Sequence, residues 1–299
     1  YFSASDEYPV QVHLYSNQRE MIYLHASSSR LNSQEYFGTL AHELTHAIQF
    51  RADHTEETWV SEGLAEIGKE LAGYTSNFRL SFLSVPSTSL TLWADDPGSS
   101  IPNYGGASLF FDYLAQQYGA ESLGILMNEP ADSIAGVEAY LDLVGAGKTF
   151  RDVFADWIVA NYLDSEGEGP YSYPDSRVSI AALDGVVPQT GLTGEVAQYG
   201  TRYYDLRADV PKITVTFRGQ VDTRIIKDTP PGGSACWWSN RGDIIDSTMT
   251  TQITLPTGEP ATLTYSLWYE IEEDWDYAYV EVSIDGGATW DILETDLTS

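Results

Sequence analysis

Gln34–Phe50 reads QEYFGTLAHELTHAIQF, and Glu57–Leu71, a few residues further on, reads ETWVSEGLAEIGKEL. Both stretches carry apolar residues at helical spacing: Phe37, Leu40, Ala41, Leu44 and Ile48 in the first, Val60, Leu64, Ile67 and Leu71 in the second. A helical side chain returns to the same direction after about 3.6 residues, so each set forms one stripe. Ser33 offers its hydroxyl oxygen to the first turn as an N-cap, and Gly73 stands where a helix end favours left-handed backbone. Two neighbouring amphipathic helices are predicted, and their polar faces decide the rest.

Working outward, Glu20–His25 is short, apolar and partly β-branched or aromatic, which predicts a strand. Downstream, Ala107–Tyr118, Ile134–Val144 and Phe150–Leu163 repeat the helical pattern. Ser165-Glu166-Gly167-Glu168-Gly169-Pro170 is polar and rich in helix breakers, so a boundary is placed near it. Beyond it the period switches to two. Ile213, Val215 and Phe217 alternate with polar residues, as do Leu263, Tyr265, Leu267, Tyr269 and Ile271, then Ala278, Val280, Val282 and Ile284. Asp285-Gly286-Gly287 supplies turn residues at the end of the last run. The expected fold class is α+β: a mostly helical domain with an edge strand over residues 1–165, a linker or extension over 166–202, and an antiparallel, jelly-roll-like β-sandwich over 203–299.

The chemistry is concentrated in His42-Glu43-Leu44-Thr45-His46. A spacing of four turns a helix by about 400°, leaving the two imidazoles roughly 40° apart on one face, where they can grip one ion together. Imidazole nitrogen suits zinc, and Glu43 stands beside the ligands within reach of a water on the ion. A catalytic zinc needs a third protein ligand and an open position. The second helix offers Glu62 and Glu66, one turn apart: Glu62 to coordinate, Glu66 to accept a hydrogen bond from a ligand histidine and fix its tautomer. The competing account is two solvated carboxylates; the short interval and the notch at Gly63 favour coordination. His25 and His54 are weaker candidates, read as partly buried or surface imidazoles.

His42-Glu-Leu-Thr-His46 followed by Glu62-Gly-Leu-Ala-Glu66 resembles the gluzincin metallopeptidases, and the short interval with Thr58–Glu66 is most similar to their hyicolysin-type members. The resemblance covers about Tyr1–Asp164 and implies a zincin-like domain in which His42, His46 and Glu62 bind zinc, Glu66 braces a histidine and Glu43 is the general base. It also points to Asn103-Tyr104-Gly105-Gly106, where a similar tyrosine of gluzincin aminopeptidases precedes a glycine-containing helix and stabilises an oxyanion. Tyr104 is the candidate for that role, against the plainer account of a loop tyrosine packed on the core.

Cys236–Asp243, Tyr269–Glu272 and Tyr279–Gly287 resemble the sandwich domain of immune inhibitor A peptidases, over about Tyr203–Ser299. The resemblance implies a secreted zinc peptidase. Such sandwiches continue for several more strands, whereas this run stops soon after Trp290, so the expectation is either a truncated sandwich or partner strands in a segment outside this sequence. From Ala261 to Ser299 acidic residues stand without Lys or Arg. Calcium at Asp243, Glu272 and Asp276 is one expectation, a solvated acidic face the other.

With 44 Asp+Glu against 15 Lys+Arg, the formal charge is -29, which repels phosphate backbones and anionic lipid and excludes nucleic acid as a partner. Acidity on this scale suits an extracellular, salt-exposed or calcium-binding protein, and equally a plain well-solvated surface. No apolar run approaches the length of a membrane span. Tyr1-Phe2-Ser3 is neither a start nor a signal peptide, so a processed or excised chain is expected. Cys236 is the single cysteine and forms no internal disulfide, leaving packing and metals to stabilise the fold. Arg241-Gly242-Asp243 spells an adhesion tripeptide without other support.

Together these features predict an extracellular, bacterial zinc endopeptidase acting on protein or peptide substrates, with the sandwich free to hold a cell-surface or extracellular ligand. Two alternatives stand beside it. An aminopeptidase lacks, between Val10 and Ser33, the Gly-x-Met-Glu-Asn element of its clan. A degenerate binding protein has no need of Glu43.

Overall fold

A computed structural model of the chain describes residues 1–25, 30–93, 98–164, 169–175, 178–180, 183–186, 191–207, 210, 212–220, 226, 231, 233, 235–240, 245–269, 271 and 276–294. Among the described residues seven α-helices dominate the first part: α1 Gln34–Ala52, α2 Thr58–Leu71, α3 Arg79–Ser84, α4 Ile101–Tyr118, α5 Leu123–Leu126, α6 Ser133–Leu143 and α7 Phe150–Leu163. Later the chain forms an antiparallel pair, β1 Glu281–Val282 and β2 Asp291–Ile292, so the class is α+β. The chain divides into two compact units, Tyr1–Thr216 with Asn240–Asp246, and Phe217–Ser239 with Ser247–Ser299.

Local chemistry sets the helix ends. Ser33 Oγ accepts the Tyr36 N–H at 3.1 Å and caps α1. After α2, Gly73 takes φ +89°, and the N–H groups of Gly73 and Tyr74 return to the carbonyls of Glu70 and Lys69 at 2.8 and 3.1 Å. That double closure needs left-handed backbone at residue 73, which glycine adopts without strain. Thr149 and Asp152 exchange side-chain and backbone bonds in a capping box at α7.

The core lies where α2, α3, α4 and α7 meet. Trp59 stacks on Phe111 at 5.5 Å, Phe82 on Trp157 at 5.5 Å, and Phe110 meets Trp157 edge-on at 5.4 Å. All five rings are buried. Residues after α7 pack on the same body: Tyr173 and Val178 are buried in it, and Tyr199 sets its ring against Phe150 and Phe154.

Four expectations change. On α1, Leu44 and Ile48 are 49% and 51% exposed, while Gly38, Thr45, Ala47 and Gln49 are buried. Small residues bring α1 and α2 close together: a Cβ on Gly68 would sit 2.1 Å from Thr45 Oγ1. The buried seam therefore follows the small and polar face, not the apolar stripe. The notch at Gly63 serves packing on α4, since a Cβ there would lie 2.3 Å from Phe111 Cδ2.

Helix α4 begins at Ile101, so Tyr104 stands within its first turn and not in a loop before it. Pro102 suits the start, and Gly105 and Gly106 admit α3: Cβ atoms there would meet Phe78 O at 2.2 Å and the Phe82 ring at 2.9 Å. The strand expected over Glu20–His25 reduces to one antiparallel bridge, Phe2 with Ile22, beside which Tyr1 and Tyr23 exchange bonds at 2.6 and 2.8 Å.

In the second unit, Glu281 pairs with Ile292 and Val282 with Asp291. The turn between them is organised by Asp285, whose carboxylate accepts Ser283 Oγ, the Ala288 and Thr289 N–H groups and Thr289 Oγ1 at 2.6 to 3.0 Å. Gly286 and Gly287 take φ +78° and +90° as the turn residues do. Among the described residues this pair is the ladder of the unit; the runs around Val215 and Leu267 add none to it. No helix of the described residues is long and apolar enough to cross a membrane.

Candidate metal centre

The seam between α1 and α2 brings His42, His46 and Glu62 together. His42 Nε2 lies 3.0 Å from His46 Nε2, and Glu62 Oε2 lies 3.1 and 3.3 Å from them respectively. Donor atoms about 2.0–2.1 Å from one tetrahedral ion stand roughly 3.3 Å apart, so these spacings fit a zinc-sized ion. Glu62 Oε2 is buried without a well-formed hydrogen bond, as a ligand atom aimed at its fellow ligands would be. Among the described residues this is the one cluster of three such side chains.

Each histidine is held from behind by α2. His42 Nδ1 lies 2.9 Å from Glu66 Oε1, and His46 Nδ1 lies 3.1 Å from Ser61 Oγ. A proton on Nδ1, shared with Ser61 in His46 and held near the Glu66 carboxylate in His42 without a well-formed hydrogen bond, leaves the lone pair of each ring on Nε2, facing the site. Glu66 is 1% exposed and has Lys69 Nζ 3.4 Å from both its oxygens. Ser61 is the contributor that sequence reasoning missed. Its signal was present, one residue before Glu62, but a helical serine is usually a solvated one.

The electrostatics follow from burial and pairing. Burial alone would lower His42, but the carboxylates of Glu62 and Glu66, 3.1 and 2.9 Å away, outweigh it and lift the imidazole to about 9. Burial likewise pushes Glu62 up, and His42 and His46 reverse that, taking it to about 2. For Glu66, burial is overcome by His42, Ser76 and Lys69, which hold its carboxyl below the usual range. The centre is an electron-rich pocket in which a divalent ion competes with a proton for nitrogen lone pairs.

Two further side chains lie near the cluster. Tyr104, from the first turn of α4, lies close enough to Glu62 to feel its charge, with its ring 5.2 Å from Phe78 and 4.7 Å from Trp93. Burial, then the charge of Glu62, pushes the phenol well above its ordinary range, so it stays a donor. Glu43, one residue from His42 on α1, accepts the Phe2 N–H on Oε2 at 2.6 Å, and the Tyr1 nitrogen lies 3.4 Å from Oε1.

The remaining candidates stand elsewhere. His54 sets its ring against Phe50 at 6.1 Å, and His25 is exposed; neither joins the cluster. Of the residues considered for calcium, Asp243 and Glu272 lie outside the described residues, and Asp276 is exposed.

Comparison with known proteins adds two findings. Residues 196–298 match the family described as "Immune inhibitor A-like, MAM domain". The Pre-pro-metalloprotease PrtV of Vibrio cholerae serotype O1, in strains M66-2 and ATCC 39315 / El Tor Inaba N16961, is 34% identical over 77 residues, which is 26% of this chain. The matched stretch spans 8% of the length of those curated relatives. The later part of the chain thus contains an immune inhibitor A-like domain, in line with the resemblance at Cys236–Asp243, and the chain is locally related to a metalloprotease.

Proposed function

We propose that this chain is an extracellular zinc-dependent endopeptidase of the gluzincin kind, resembling the hyicolysin-type members. The observation that carries it is the convergence of His42 Nε2, His46 Nε2 and Glu62 Oε2 within 3.3 Å of one another, with Glu43 on the same helix. Held by these three side chains, a zinc ion supplies Lewis acidity and a water that is acidic near pH ~7.

The chain's own residues do the rest. Glu43 takes a proton from the attacking water and returns it to the leaving amine nitrogen. Tyr104, kept protonated by burial, donates its O–H toward the carbonyl oxygen as negative charge develops there. Glu66 and Ser61 hold the imidazoles so that neither ring turns its lone pair away. The -29 formal charge and the similarity to a pre-pro-metalloprotease support an extracellular setting. In the same proposal the peptidase domain occupies 1–165 and the immune inhibitor A-like domain 203–299, joined by 166–202.

Casein cleavage tests this. Glu43→Gln keeps its zinc and loses most activity, by roughly 10²- to 10⁴-fold, whereas His46→Ala and Glu62→Ala lose the metal. Undiminished proteolysis by Glu43→Gln contradicts the assignment.

A further inference from the structure

We infer that the backbone N–H of Phe2 is the positioning group for Glu43: it holds Oε2, and Oε1, which lies 3.4 Å from the Tyr1 nitrogen, is the oxygen that takes the proton from the attacking water. The inference rests on Glu43 being the general base and adds what orients it. A glutamate on a helix face has three rotatable bonds, and proton transfer needs one geometry. Phe2 N–H donates to Oε2 at 2.6 Å, a short charge-assisted bond from a donor that has no rotamers of its own.

The direction of that N–H follows from the ladder. Tyr1 and Tyr23 exchange both backbone bonds, so the alternation of an antiparallel pair turns the next amide, that of Phe2, to the opposite edge. That edge is where α1 presents Glu43. The Phe2 ring rests 5.6 Å from Phe50, two turns further along the same helix, which fixes the strand against α1 at a second point.

Behind the strand, buried Asp6 ties the segment together. Its Oδ1 accepts the Asn17 N–H and Nδ2–H at 2.8 Å each, its carboxylate takes the Tyr23 hydroxyl, and its carbonyl accepts Ser16 Oγ and the Arg19 N–H. Residues 1–23 are thus wound around Asp6 into a lobe that delivers one amide to one carboxylate.

The test removes the N–H alone. Phe2→Pro lowers kcat roughly 10- to 100-fold, with KM and zinc content unchanged, while Phe2→Ala, which keeps the N–H and loses the ring, falls well short of that loss. Wild-type kcat in the zinc-loaded proline variant overturns the inference, as does an equal loss in both variants. If the proline variant fails to fold, phenyllactate at position 2 replaces the N–H with an ester oxygen; the same kcat loss is expected, and wild-type kcat overturns the inference. Absence of zinc-dependent cleavage by the unsubstituted protein overturns the peptidase proposal and this inference together, whereas cleavage that survives loss of the N–H overturns only the latter.

Discussion

Ser61 stands 3.1 Å behind His46 as Glu66 stands 2.9 Å behind His42, so each metal-facing imidazole has its own brace on α2. Ser61→Ala removes one brace and leaves the ring free to turn; zinc affinity is expected to fall roughly 10-fold, measured by competition with a chromogenic chelator. The two histidines and the two glutamates were legible in the sequence because a spacing of four on a helix is itself geometry. Ser61 was not, since its partner lies 15 residues away on another helix. A second residue-scale consequence concerns Glu56. Burial, with Asp53 and Asp132 nearby, pushes its carboxyl up to about 7 against N–H bonds from Glu57 and Ser133. The folded state then holds this proton more tightly than the unfolded chain, whose ordinary value is 4.5. Stability is therefore lost as pH rises from about 4.5 to 7, by at most about 3 kcal/mol, and no further above that. Glu56→Gln is expected to flatten that part of the curve, compared by urea denaturation at pH 5 and pH 8.

At the scale of elements, the site depends on how closely three helices approach. Gly63 lets Phe111 of α4 press into α2, and Phe111 is itself buried and stacked on Trp59, so it has nowhere to retreat. Gly63→Ala is expected to cost about 1–3 kcal/mol in urea denaturation and to weaken zinc binding, because α2 carries Glu62, Ser61 and Glu66. The helices were legible from periodicity wherever the period was unopposed, and α7 runs over the predicted Phe150–Leu163. Periodicity misjudged α1, whose buried seam is made of Gly38, Thr45 and Gln49 and whose Leu44 and Ile48 face outward. It also missed α3, six residues held by Arg79 between Glu70 and Asp112 and by Phe82 in the core, contacts that no local pattern announces.

Across the whole molecule, the switch from a helical to an alternating pattern separated a helical part from one that carries an antiparallel pair, and the family match at 196–298 falls on the alternating part. The Asp285 turn was legible from Asp-Gly-Gly, because its glycines and carboxylate act within a few residues of one another. Pairing partners for the other alternating runs were not legible, since alternation marks a face but not the strand that lies beside it. Whether the seam between α1 and α2 holds zinc is read out by diffraction at the zinc absorption edge from zinc-soaked crystals. One anomalous peak is expected about 2.0–2.2 Å from His42 Nε2, His46 Nε2 and a Glu62 oxygen. Saturating zinc with no peak there, or a peak held by other side chains, contradicts the zinc site.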